Sequence, residues 1–186
     1  MRSLFACVAA VSLCGVASAA TTYSNWDAWD GNVTFAWFAQ AQSFPVPAGD
    51  NVLLNWQSQF DSSMNGLQVG FAITDLVGGV PGGTTYFTAN PTIDGTGTVT
   101  IASINLALVS GQDYAAVWDF NGYSGNSIQW ISSDTAPGNG LWRDQTGVWS
   151  DFASFDQRYI ANFGVPAPGA AALLGLGALG ALRRRR

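Results

Sequence analysis

Between residues 20 and 164, apolar positions alternate with polar ones over short runs and do not recur every three or four residues. Leu67-Gln68-Val69-Gly70-Phe71 shows it best. A period of two gives the chain one apolar and one polar side, as in a strand with one buried and one wet face. Runs rich in β-branched and aromatic residues at 33–38, 41–46, 52–57, 67–74, 84–88, 98–104, 114–119, 127–132 and 158–163 predict strands. Between them lie Gly-, Pro-, Asn- and Asp-rich stretches at 47–50, 78–83, 94–97, 111–113 and 137–140, which predict turns. No stretch holds a 3.6-residue apolar period with caps at both ends. About nine short strands with turns every 8–15 residues predict an all-β fold, an antiparallel β-sandwich.

Both ends of the chain break this pattern. Arg2, the apolar run 4–16 and Ala17-Ser18-Ala19 have the order of a secretory signal peptide, expected over residues 1–19 with cleavage after Ala19 or, in an alternative frame, after Ala20. Cys14 does not make this a lipoprotein signal, because Leu13 is bulky where that processing site wants a small residue. At the other end, Pro166 and Pro168 keep the chain extended before a Gly/Ala/Leu run at 169–182. That run predicts a short apolar C-terminal helix of about 21 Å, short of a ~30 Å hydrocarbon core. Arg183, Arg184, Arg185 and Arg186 would hold its end on the cytoplasmic side, giving transient membrane insertion or, alternatively, a weak permanent anchor.

Removing both ends leaves residues 20–164 as one extracellular domain, long enough for a two-layer core. Both cysteines, Cys7 and Cys14, leave with the signal peptide, so the domain forms no disulfide. All 12 acidic residues of the chain are aspartates within it, against Arg143 and Arg158, a net charge of −10. Such a surface repels nucleic acid and anionic lipid. The chain has no His, and the domain no Cys. That excludes a Ser-His-Asp triad, a Cys-His dyad and a zinc centre.

Three constellations remain. Asp27, Asp30 and Asn32 offer hard oxygens to a structural calcium, with Asp119 and Asn121 beyond a later strand, but the EF-hand spacing is absent. Trp26, Trp29, Trp142 and Trp149 lie in Asp/Gly-rich contexts, where an indole either stacks on a sugar or covers a sandwich end. Trp37, Trp56, Trp118 and Trp130 fall within strand runs and are expected in the core. No spacing singles out the carboxylate pair that a glycan hydrolase needs.

Val165-Pro166-Ala167-Pro168, the Gly/Ala/Leu run and the four terminal arginines together resemble the PEP-CTERM sorting signal of Gram-negative bacteria, with Ala167 where that family usually has Glu. The resemblance covers 165–186. It implies recognition by an exosortase-type transpeptidase, with signal peptidase acting at the other end, and export to the cell surface or extracellular matrix. Ser43-Phe44-Pro45-Val46-Pro47-Ala48-Gly49, Gly82-Gly83-Thr84-Thr85-Tyr86-Phe87 and Leu108-Val109-Ser110-Gly111-Gln112-Asp113-Tyr114 resemble jelly-roll modules that often precede such tails. The expectation is an exported, non-enzymatic structural or interaction protein without a cofactor other than the candidate calcium. The alternatives are a carbohydrate-binding module for exopolysaccharide and, from another class, a secreted Asp-dependent glycan hydrolase.

Overall fold

Fourteen antiparallel strands run through the described part of the chain: β1 (Ala19–Ser24), β2 (Asn32–Phe35), β3 (Ala39–Pro45), β4 (Val52–Gln59), β5 (Gly70–Val77), β6 (Val80–Ala89), β7 (Thr98–Ile101), β8 (Leu106–Ala107), β9 (Asp113–Asp119), β10 (Asn126–Ile131), β11 (Gly140–Arg143), β12 (Trp149–Phe152), β13 (Asp156–Gln157) and β14 (Tyr159–Gly164). The structure is a computed structural model and describes residues 19–35, 38–131, 135–152 and 155–165. Within these residues the only helical pieces are 3-10 turns at Trp26–Ala28 and Ser62–Met64. The expected signal peptide up to residue 18, the residues after Val165, the expected C-terminal helix and Trp37 lie outside the described residues.

The count of about nine strands is corrected to fourteen, for reasons visible in the residues. β8 and β13 are two residues long, below the reach of any periodicity. β11 and β12, Gly-Leu-Trp-Arg and Trp-Ser-Asp-Phe, contain no β-branched residue. β1 begins at the expected cleavage boundary. The run 98–104 is cut after Ile101, where Ser103 and Asn105 take φ values of 57° and 49°. The turn expected over 78–83 shrinks to Gly78-Gly79, since Val77 already pairs with Val80.

Three sheets result: β1-β14-β4-β7 with β8 also on β4, β13-β10-β2, and β12-β11-β3-β9-β5-β6. The first and third pack face to face. Leu53, Trp56, Val99, Tyr159 and Phe163 from one side meet Phe44, Phe71, Ile73, Tyr114 and Trp118 from the other. Trp56 stacks on Tyr159 at 4.8 Å, and Trp118 meets Phe71 at 4.5 Å and Phe60 at 5.0 Å. Phe60 bridges to Ile128, so β10 continues the core with Ile128 and Trp130. Trp56, Trp118 and Trp130 are buried, as their strand contexts predict.

The six-stranded sheet is also covered on its other face. Ala41, Ala115 and Leu141 are buried there beside Leu76, Val117 and Trp149. The sheet curls, bringing its two edges β6 and β12 into contact. Alanines on β3 and β9 leave room for that curvature, and Leu76 and Trp149 fill it.

Buried amides tie the small three-stranded sheet to the six-stranded one. Gln42 donates to Asp156 Oδ1 at 2.9 Å and accepts the Gln157 N–H at 2.8 Å. The N–H groups of Thr135 and Ala136 reach Asp156 Oδ2. Gln40 donates to Thr34 Oγ1 at 2.6 Å and to the Phe35 carbonyl at 2.9 Å, while its Oε1 accepts from Ser127. Both glutamines sit fully buried in β3, where an unpaired amide would cost more than it gives. Paired, Gln40 fixes the path of β2 and Gln42 that of β13.

Candidate ligand cleft

Register brings one set of chain ends together. Ala39, the first residue of β3, pairs with Asp119 at the end of β9 and with Arg143 at the end of β11. The loops leaving β9 and β11 therefore emerge beside the segment that enters β3. Arg143 and Asp119 bridge across Ala39 at 3.5 Å. Over this end lies a cleft of about 750 Å³, lined by Phe35 and Phe38, by Gly122, Tyr123 and Ser124, and by Asp144, Gln145 and Thr146.

Each wall has a local cause. Phe35 closes β2, its carbonyl held by Gln40. The loop after β9 is a tight turn in which the Tyr123 N–H meets the Phe120 carbonyl, with φ 52° at Asn121 and 80° at Gly122. Two consecutive positive φ angles define a type I′ turn, which favours Asn-Gly. The Asn121 N–H also binds Asp119 Oδ1 at 2.8 Å. Tyr123 itself reaches the Ser63 hydroxyl at 3.2 Å.

The third wall is the β11–β12 hairpin turn, Asp144-Gln145-Thr146-Gly147-Val148. Asp144 Oδ1 accepts the Thr146 N–H at 2.8 Å, the Thr146 hydroxyl at 2.7 Å and the Val148 N–H at 3.0 Å. The threonine hydroxyl leads in drawing this carboxyl below the ordinary aspartate range, and the backbone N–H groups add to it. An identical device recurs at Asp94-Gly95-Thr96-Gly97-Thr98, with contacts of 2.8, 2.6 and 3.0 Å. Asp94 is lowered for the same reason. Asp-x-Thr-Gly is thus a repeated turn module of this chain, and one copy forms a cleft wall.

The residues singled out from sequence lie elsewhere. Trp26 and Trp29 clasp Arg158, whose guanidinium sits 4.5 Å and 5.2 Å from their rings. Arg158 is held further by the Trp26 carbonyl at 2.8 Å and Gln129 Oε1 at 2.6 Å. Burial lowers the Arg158 pKa, with Asp27 opposing. Trp29 also donates to the Asn32 carbonyl at 2.8 Å. Trp142 pairs with Ser150, and Arg143 pairs with Trp149, so the two indoles point to opposite faces of one hairpin. Trp142 packs on Phe152 at 5.8 Å, and Arg143 lies 5.6 Å over Trp149. Trp142 and Trp149 therefore do not share a stacking platform.

Of the calcium candidates, Asn32 donates its amide to Asp30 Oδ1 at 2.9 Å, and Asp27 is exposed near Arg158. Among the described residues no three acidic, His or Cys side chains converge on a metal position. Val165 is exposed; the other sorting-signal positions, Pro166, Ala167, Pro168, Arg183, Arg184, Arg185 and Arg186, lie outside the described residues. No helix among the described residues is long and apolar enough to cross a membrane.

Two smaller hollows lie elsewhere on the surface. One of about 220 Å³ lies between Asn32–Thr34 of β2 and the rings of Trp130, Phe152 and Phe155. The other, of about 370 Å³, is polar and includes Asp75, Asp113, Tyr86 and Tyr114. Asp75 there already accepts the Thr84 N–H at 3.1 Å.

A curled antiparallel sandwich with an aromatic cleft at one end is the class of fold these residues define. No protein-family model matches the chain, and no curated protein matches it. Two solved structures share the fold: the cysteine protease and lectin-like domains of Cwp84, a surface layer associated protein of Clostridium difficile, and the Clostridial cysteine protease Cwp84 after propeptide cleavage. Identities are 12% and 13%, each with a TM-score of 0.51 over 74% of this chain. The chain spans 37% and 41% of those structures' lengths.

Proposed function

We propose that the protein is an exported, non-enzymatic interaction module of the cell surface or extracellular matrix. In this reading its jelly-roll-like sandwich is delivered by the sorting signal over 165–186, after cleavage by signal peptidase and recognition by an exosortase-type transpeptidase. The observation that carries the non-enzymatic part is the chemistry of the cleft. Among the described residues its lining holds a single carboxylate, Asp144, with one oxygen committed to three donors. Glycoside hydrolysis needs two carboxyl groups flanking one bond, one with a raised pKa. Asp144 is shifted the other way. Aromatic rings beside a few fixed polar groups hold a ligand without turning it over.

The fold shared with a structure containing lectin-like domains of a surface layer associated protein supports the same reading. The test is incubation of the full-length protein with polysaccharides, followed for both retention and new reducing ends. Retention without new reducing ends is expected. Turnover that Asp113→Asn or Asp75→Asn abolishes would transfer the function to the polar hollow and to the hydrolase alternative.

A further inference from the structure

Resting on the interaction-module reading, we propose that the cleft between Phe35, Phe38, Tyr123 and the Asp144 turn is a binding site for neutral, hexose-based glycan chains. Phe35 is 66% exposed and Phe38 is 47% exposed, on adjoining segments of one end of the sandwich. Burying both rings inside would have been the cheaper choice for folding, since a fully buried Phe contributes about 1.5–3 kcal/mol. Their backbones are not loose: Phe35 is held through its carbonyl by the buried Gln40, and Phe38 adjoins the paired Ala39. The rings are displayed on a firm base.

The class of ligand follows from what lines the walls. No cationic side chain among the described residues does, and the domain carries a net charge of −10, so phosphate, sulfate and uronate groups are repelled. A cation would find one carboxylate, half used by its own turn. A purely apolar partner would cover Ser124, Asp144, Gln145 and Thr146 without pairing them, and desolvating such groups unpaired is costly. An uncharged pyranose has what the walls ask for: C–H faces to lie on aromatic rings and hydroxyls for the polar rim. The volume, about 750 Å³, lies within the ~300–1,000 Å³ of small-molecule sites.

The experiment is affinity electrophoresis of the full-length protein through gels containing dextran, laminarin or alginate, with Phe35→Ala and Phe38→Ala alongside wild type. Both rings are exposed, so an unchanged thermal midpoint is expected for the variants and is measured with them. Wild type should be retarded by a neutral glycan and not by alginate, and each variant should weaken that binding about tenfold, as loss of an anchoring side chain does. Equal retardation of wild type and both variants would overturn this site while leaving the interaction reading intact. Retardation by alginate alone, or by none of the three, would overturn the neutral-glycan assignment. New reducing ends would overturn the non-enzymatic reading itself.

Discussion

Asp94 and Asp144 make the same three contacts from the same four-residue phrase, and what they do is set by pH. Both have folded pKa values lowered first by a threonine hydroxyl. A carboxylate held below its unfolded value of about 3.9 contributes stability above that pH and loses it as pH falls through the folded pKa. The thermal midpoint should therefore stay level from about pH 7 to 5 and fall below about pH 4. The Asp94→Asn, Asp144→Asn double variant should show a shallower acid decline, as a melting series against pH would measure. Arg158 shows a different economy: the two indoles that sequence offers as sugar platforms each spend a face on it. That pairing was not legible, because Trp26 and Arg158 are 132 positions apart and only the β1–β14 pairing brings their segments together.

At the scale of elements, alternation and turn residues located the long strands and failed where neither operates. Trp56, Trp118 and Trp130 declared themselves by lying within strand runs. Trp56→Ala and Trp118→Ala should each cost ~3–5 kcal/mol, and Trp29→Ala under ~1 kcal/mol, in urea unfolding. β11 escapes any propensity argument because it begins with Gly140, which looks like the end of a turn. The reason for that glycine is packing: a Cβ there would fall inside the Trp130 indole and 2.5 Å from the Phe155 carbonyl. Gly140→Ala should therefore lower the melting temperature clearly, whereas Gly83→Ala, with open space around it, should not. None of the cleft residues was singled out from the sequence, although two of its turns carry a signal there. Asn121-Gly122 announces a type I′ turn and Asp144-x-Thr-Gly repeats Asp94-x-Thr-Gly, but only the pairing of Ala39 with both Asp119 and Arg143 shows that these turns meet Phe35 and Phe38.

For the molecule as a whole, the proposed export route and the proposed binding surface can be tested separately. Residues 20–164 contain no cysteine, so a reducing agent should leave the unfolding midpoint of this domain unchanged. If the candidate calcium is structural, chelator should lower the midpoint, and an unchanged midpoint would remove that candidate. Intact-mass analysis of surface-extracted protein should show a chain lacking Arg183, Arg184, Arg185 and Arg186; recovery of all four would favour a permanent anchor. The central claim is that the Phe35–Tyr123–Asp144 end of the sandwich holds a neutral glycan. Hydrogen exchange read by mass spectrometry, with and without saturating neutral glycan, tests it most directly. Slowed exchange is expected only in peptides containing Phe35 or Phe38 and in those spanning 119–126 and 143–149. No slowing there, or slowing confined to the Trp26–Ala28 segment and its neighbour Trp29, would contradict it.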